Sequence, residues 1–192
     1  MEEFLCLRMN KKSGLSLIEL LIAIAITGIL AAAMIPSIST FLKNQRTQSA
    51  AFSLATALRL AKTEAIEHQI SAGVCLSTNN DNTACDSGWD ASSTEQKNWI
   101  VFLDADGNHQ FTNTTTDRIL KVLPGPTPNS VEFTLGGNII DGLLFFTPMG
   151  FYHVSTTSTI TIKPTTGCQG NFAQLLTITA TGNVSINNTG CE

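Results

Sequence analysis

Charge is scarce in this 192-residue chain: only 14% of the residues are Asp, Glu, Lys or Arg, and 11 basic against 15 acidic side chains leave a net charge of −4. That balance excludes a nucleic-acid binder driven by overall charge, which needs a basic surface to meet phosphates. Glycine follows no third-residue period and no long heptad pattern occurs, so collagen and coiled-coil architectures are excluded. Five cysteines are too few for a disulfide-dense miniprotein. No GxSxG, HExxH, P-loop or dinucleotide fingerprint is present. His68, His109 and His153 fall at a helix end, a turn and a strand, with no carboxylate or nucleophile motif beside them. The expectation is a protein that is not an enzyme and needs no cofactor and no metal.

What is present is unevenly spread. Residues 15–35 read LSLIELLIAIAITGILAAAMI, an apolar run of 21 residues whose one charge is Glu19. A bilayer takes roughly 20 residues of helix. Arg8, Lys11 and Lys12 precede the run, and positive charge there holds that end in the cytoplasm, so the bulk of the chain is expected outside it. Ala31, Ala32 and Ala33 imitate the small-residue cleavage site of a secretory signal. The competing reading places processing ahead of the run, after Lys11-Lys12-Ser13-Gly14, and it alone accounts for Glu19. A carboxylate within a membrane segment costs about 2.5–3.5 kcal/mol, so it is by default a functional group with a partner.

Lys11-Lys12-Ser13-Gly14 followed by Leu15-Ser16-Leu17-Ile18-Glu19-Leu20-Leu21-Ile22 resembles the class III signal of type IV prepilins and type II secretion pseudopilins. The resemblance implies that a membrane peptidase cuts between Gly14 and Leu15 and methylates the new N-terminus. Glu19 then becomes the fifth mature residue and Pro36 the twenty-second, both matching the family, whereas Leu15 stands where the family most often has Phe. The chemistry follows. Cleavage creates an ammonium on Leu15 in an apolar setting, and Glu19 of a neighbouring subunit neutralises it once the helices pack. Burying one such charge alone is expensive, and burying the pair is tolerable. Glu19 is thus expected to act in assembly.

Residues 37–69 contain no Gly or Pro, and Leu54, Ala57, Leu58, Ala61 and Ala65 recur at helical spacing, with Arg59, Thr63 and Glu67 on another face. One helix from about residue 15 to about residue 69, bent near Pro36, is the simplest reading. At 1.5 Å per residue it would be about 80 Å long. Beyond Ile70 the period becomes strand-like. Strands are expected over 73–76, 99–103, 118–123, 131–135, 143–147, 158–162, 175–179 and 183–186. Turn signals stand at Asp104-Ala105-Asp106-Gly107-Asn108, Pro124-Gly125-Pro126, Gly136-Gly137-Asn138, Pro148-Met149-Gly150 and Thr181-Gly182-Asn183. Strands follow strands, so an α+β fold with a mostly antiparallel sheet is expected. Residues 77–98 read as a polar surface loop.

Residues from Ser49-Ala50-Ala51 through Leu58-Arg59-Leu60-Ala61-Lys62-Thr63-Glu64-Ala65-Ile66, then Val74-Cys75, Gly88-Trp89 and Trp99-Ile100-Val101-Phe102-Leu103-Asp104, resemble the FimT/GspH group of minor pilins and pseudopilins. Phe146-Thr147-Pro148-Met149-Gly150 is similar to that group's late turn. The resemblance covers nearly the whole chain. It implies a pilin-like α+β fold in which a long N-terminal helix packs on a two-sheet β domain. The expected organisation is a cleaved leader over 1–14, a transmembrane and filament-core helix over 15–36, the amphipathic half of that helix over 37–70 and a β-rich periplasmic domain over 71–192. The implied function is that of a minor type IV pilin in a pilus initiation or tip complex. A minor pseudopilin of a type II secretion system shares every motif. Implied partners are other minor pilins and the major pilin, or pseudopilins, with the prepilin peptidase and the inner membrane.

Cys6 lies in the leader, which leaves Cys75, Cys85, Cys168 and Cys191 in the exported chain. Four cysteines allow three pairings, of which Cys75–Cys85 and Cys168–Cys191 close short loops rich in Asn, Gly and Thr. No pair has CxxC spacing and no His accompanies them, against a metal site. The run at Asp104 fails as an EF-hand, because Gly107 is its fourth residue and Thr115 its twelfth; a strand-connecting turn is the expectation. Trp89, Trp99, Phe145, Phe146 and Phe151 read as core rather than as a binding surface. Some members of the group take up DNA through an Arg-bearing motif near the C-terminus. Here 181–188 holds no Arg or Lys, and without the leader the net charge is −5, so DNA is disfavoured as a partner.

Overall fold

A computed structural model of the chain describes residues 16–92, 94–112, 117–139 and 141–191, and within its helix it leaves undescribed the side chains of 32–37. The proposed cut between Gly14 and Leu15 and the side chain of Pro36 lie outside the described residues. The chain divides into two compact units, Met1–Ser39 and Thr40–Glu192.

Helix α1 (Leu17–His68) runs through both units. It opens on Ser16, whose carbonyl accepts from the Glu19 and Leu20 amides at 3.0 and 3.1 Å. It closes before Gln69, whose φ of 54° reverses the chain in the left-handed conformation common at helix C-termini. In the first unit every described side chain of 16–31 is exposed. Among the described residues no helix is long and apolar enough to cross a membrane; both ends of the span expected over 15–36 fall outside the described side chains.

In the second unit α1 is amphipathic. Ala50, Ala51, Leu54, Ala55, Ala57, Leu58, Ala61 and Ala65 are buried, while Arg59, Thr63 and Glu67 are exposed. Eight strands follow: β1 (Ala72–Leu76), β2 (Asn98–Leu103), β3 (Arg118–Pro124), β4 (Val131–Gly136), β5 (Leu144–Phe146), β6 (Ser158–Pro164), β7 (Ala173–Ile178) and β8 (Val184–Thr189). They form two four-stranded sheets, ordered β3-β2-β1-β5 and β4-β6-β7-β8. All neighbours are antiparallel. The fold is the α+β arrangement of a long helix on two antiparallel sheets.

Alternation of side chains along each strand sorts the residues into two cores. Ala72, Val74 and Leu76 of β1 with Trp99, Val101 and Leu103 of β2 join the buried face of α1, together with Ile160, Ile162, Leu176 and Ile178 of the second sheet. The opposite face of the first sheet buries Cys75, Ile100, Phe102 and Phe145. Gly73 sits between Phe102 and Phe145 across both strand pairings. A Cβ there would lie 2.5 Å from the Phe102 ring and 2.6 Å from the Phe145 ring. Two aromatic rings thus occupy the space a side chain would need.

The connection over 77–98 differs from the polar surface loop expected. Trp89 is 1% exposed, donates from Nε1 to the Gly142 carbonyl at 2.6 Å, and meets Trp99 and Phe133 edge-on at 4.9 and 5.6 Å. Gly142 must be glycine, since its φ is 64° and a Cβ would stand 2.6 Å from both the Asp86 carbonyl and Trp89 Nε1. The half-buried to buried pair Lys97–Asp86, at 2.5 Å, ties the middle of this loop to its C-terminal end. The loop is polar along its length because its one large apolar side chain is the anchor.

Candidate assembly site

The first turn of α1 carries Glu19, exposed among Leu17, Ile18, Leu20, Leu21 and Ile22, which are themselves 48–76% exposed. Farther on, Ile24, Ile26, Ile29 and Leu30 are more than half exposed as well. Thr27 hides its hydroxyl by donating to the Ala23 carbonyl at 2.9 Å. The result is a helix surface apolar all round except at one carboxylate. A surface of this kind is stable in water only when something apolar covers it.

Four of the cysteines are joined as Cys75–Cys85 and Cys168–Cys191, each with Cα atoms 5.6 Å apart. The first bond pins the loop 77–98 to the second core, where Cys75 is fully buried. The second ties the C-terminal strand to the β6–β7 connection, where the Cys191 amide also donates to the Gly170 carbonyl at 3.2 Å.

Of the five aromatic residues read as core, Trp89, Trp99, Phe145 and Phe146 are buried and Phe151 is not. Phe151 follows the Pro148-Met149-Gly150 turn, in which Gly150 donates to the Thr147 carbonyl at 2.8 Å. Met149 is 80% exposed. A Cβ on Gly150 would stand 2.7 Å from Ile66 of α1, so the turn lies against the helix, and Ile66, Met149 and Phe151 are each exposed.

Asp104, Asp106 and Asp117 bring carboxylate oxygens within 4.8 Å of one another. Their work is to fold the β2–β3 connection. Asp104 accepts from the Asn108 and His109 amides at 3.2 and 3.1 Å, and Asp117 accepts from the Thr112 amide and hydroxyl at 2.8 and 2.9 Å. Burial pushes the Asp104 carboxyl above its ordinary range, and a hydrogen bond from the His109 amide opposes that.

His109 and His153 are not scattered as their sequence positions suggested. Their rings stack at 4.0 Å, and His153 lies in a bend after β5 rather than on a strand. Both line a cavity of about 200 Å³ with Asn108, Asp141 and Phe145. Desolvation and then the neighbouring His109 lower the pKa of His153, while Asp104 raises it. Positions 109 and 153 meet because β5 pairs with β1 beside β2, a placement that no local pattern announces.

The family model described as type II transport protein GspH matches residues 50–190, and the prokaryotic N-terminal methylation motif matches residues 9–35. Among solved structures, the type IV minor pilin FimU of Pseudomonas aeruginosa in space group P21 aligns with a TM-score of 0.52 and 15% identity, over 77% of this chain and 92% of that one. The same protein in space group P65 aligns with a TM-score of 0.49 and 18% identity, over 73% and 91%. The likeness at this identity is one of fold. Comparison with curated proteins gives no match.

Proposed function

We propose, from the premise that this chain belongs to the GspH family, that it is a minor type IV pilin, a structural subunit of a pilus initiation or tip complex. Prepilin peptidase cuts between Gly14 and Leu15, residues 15–36 anchor the subunit in the inner membrane as a single pass, and the β domain stands in the periplasm until assembly. The observation that carries this reading is the exposed apolar surface of 17–31 with Glu19 as its one charge. Other pilin helices cover that surface in the filament, where Glu19 meets an N-terminal amine and Pro36 shapes the helix for packing. The β domain selects which neighbour is accepted. The role is structural, not catalytic. The rival reading, a minor pseudopilin of a type II secretion system, draws on the family match over 50–190.

The deciding measurement is mass spectrometry of what co-purifies with the tagged chain after gentle cross-linking in membranes. Enrichment of the major pilin and other minor pilins is the expected result. Enrichment of type II secretion components instead would move the subunit to the pseudopilus.

A further inference from the structure

Lys43 and Arg46 lie three residues apart on α1, so their side chains neighbour each other on one face. Both line a recess of about 110 Å³ between the helix and the second sheet, closed by Asn129 and Ser130 before β4 and by Thr165 and Thr166 after β6. No carboxylate lines it. Among the described residues neither cation forms an ion pair: Lys97 holds Asp86, Lys163 holds Glu132, and Arg59 and Lys62 are spent on backbone carbonyls of 181–184. Arg118 and Lys121 stand exposed on β3.

Two like charges at this spacing repel. In an acidic chain, the half-buried Lys43 and the exposed Arg46 nevertheless border one polar hollow. The opposite wall is shaped for them. Gly167 has a φ of 67°, and its missing Cβ would lie 3.1 Å from the Lys43 ammonium, so the glycine lets the cation reach the loop. That loop is fixed by the Cys168–Cys191 bond, and by the Thr165 amide and hydroxyl donating to the Ser130 and Asn129 carbonyls at 3.3 and 2.7 Å. The hydroxyl of Thr166, at the rim, has no partner among the described residues and is free to donate.

We propose that this recess binds a phosphate-bearing anion, with Lys43 and Arg46 as its charge partners and Thr166 as a hydroxyl donor. Its volume equals that of about three or four waters, room for one tetrahedral oxyanion and not for a nucleotide. Arg presents a planar fork to phosphate oxygens and Lys a point charge, a combination suited to a monoester or diester. A lipid headgroup and free phosphate share this chemistry. The proposal does not rest on the filament reading, because every residue it uses lies in the second unit.

The test uses the full chain purified in a neutral detergent. Its unfolding midpoint is followed against inorganic phosphate, and separately against dihexanoyl phosphatidylglycerol, with chloride at matched ionic strength as reference. Saturable stabilisation is expected, with the apparent Kd raised at least tenfold by Lys43→Gln or Arg46→Gln, retained by Lys43→Arg and unchanged by Lys121→Gln. Tighter binding of the phosphatidylglycerol makes a lipid headgroup the source, and a response to inorganic phosphate alone makes it the free anion. No stabilisation by either ligand, or an equal response of Lys43→Gln and the parent chain, overturns the proposal. Should the Gln variants fold poorly, the ³¹P linewidth of inorganic phosphate with the unsubstituted chain decides: broadening reversed by excess sulfate supports the site, and an unchanged line refutes it.

Discussion

Gly73 shows how one missing side chain fixes the second core. Phe102 and Phe145 fill the volume on either side of it, and they meet edge-on at 5.7 Å only because nothing stands between them. Gly73→Ala is expected to destabilise the domain by about 1–3 kcal/mol through overpacking. Gly190→Ala, where a Cβ meets nothing within 4 Å, should stay within about 0.5 kcal/mol. Urea unfolding of the two variants, with Phe102→Leu added to Gly73→Ala as a rescue, checks this; a Gly73→Ala midpoint equal to that of Gly190→Ala would show that the rings move aside freely. His153 supports a second test, of pH. Desolvation and the stacked His109 lower its folded-state pKa below the usual 6.5, so the unfolded chain binds a proton more readily than the folded one. Stability is therefore full above about pH 6.5 and declines as pH falls through that value toward the folded pKa. Replacing His153 with Asn should flatten that limb of the profile, measured by unfolding midpoints between pH 7.5 and 5. A limb of unchanged slope would assign it elsewhere, though not to Asp104, whose raised pKa acts in the opposite sense.

The elements themselves were largely legible from local pattern. All eight strands coincide with the expected runs, because β-branched and aromatic residues alternate between clear turn signals, and their ends differ by at most three residues: β5 is one residue shorter at each end, whereas β6 and β8 run two and three residues farther. For β7, register with β6 and β8 draws in Ala173 and Gln174, which propensity alone leaves out. The helix was legible from the Ala and Leu spacing and ends at a left-handed Gln69 rather than at a glycine. What the pattern hid is non-local. The order β3-β2-β1-β5 inserts β1 between strands that follow it in the chain, and this is what brings His109 to His153 and closes Trp89 onto Gly142. Trp89 sat in a polar stretch with no periodicity to mark it, so its burial had no signal except its own size. The recess holding Lys43 and Arg46 was equally silent, since its far wall comes from residues more than eighty positions away.

For the molecule as a whole, one unit of the chain is satisfied internally and the other is not. The second unit buries its apolar residues in two cores and stitches its loops with two disulfides. The first presents apolar side chains outward from Leu17 to Leu30 with no partner of its own among the described residues. On the proposed function the missing partners are supplied by other molecules, first lipid and then neighbouring helices. Glu19 is where the two environments differ most. In a bilayer near its interface the carboxylate stays hydrated at little cost, whereas between packed helices it is tolerable only beside a cation. On the proposed function the cleaved N-terminus of a neighbouring subunit supplies that cation, and Glu19→Ala would leave the ammonium buried alone. An unpaired charge in that setting costs about 2.5–3.5 kcal/mol, which corresponds to roughly two orders of magnitude in incorporation at equilibrium. In that reading peptidase cleavage precedes packing, so the mature N-terminus should still be found by mass spectrometry of membranes. Glu19→Ala should thus be processed normally yet be nearly missing from sheared filaments, with exposed Glu67→Ala as the control. Normal amounts of Glu19→Ala in the filament fraction would mean that the ammonium finds another counter-charge and that Glu19 has no part in docking.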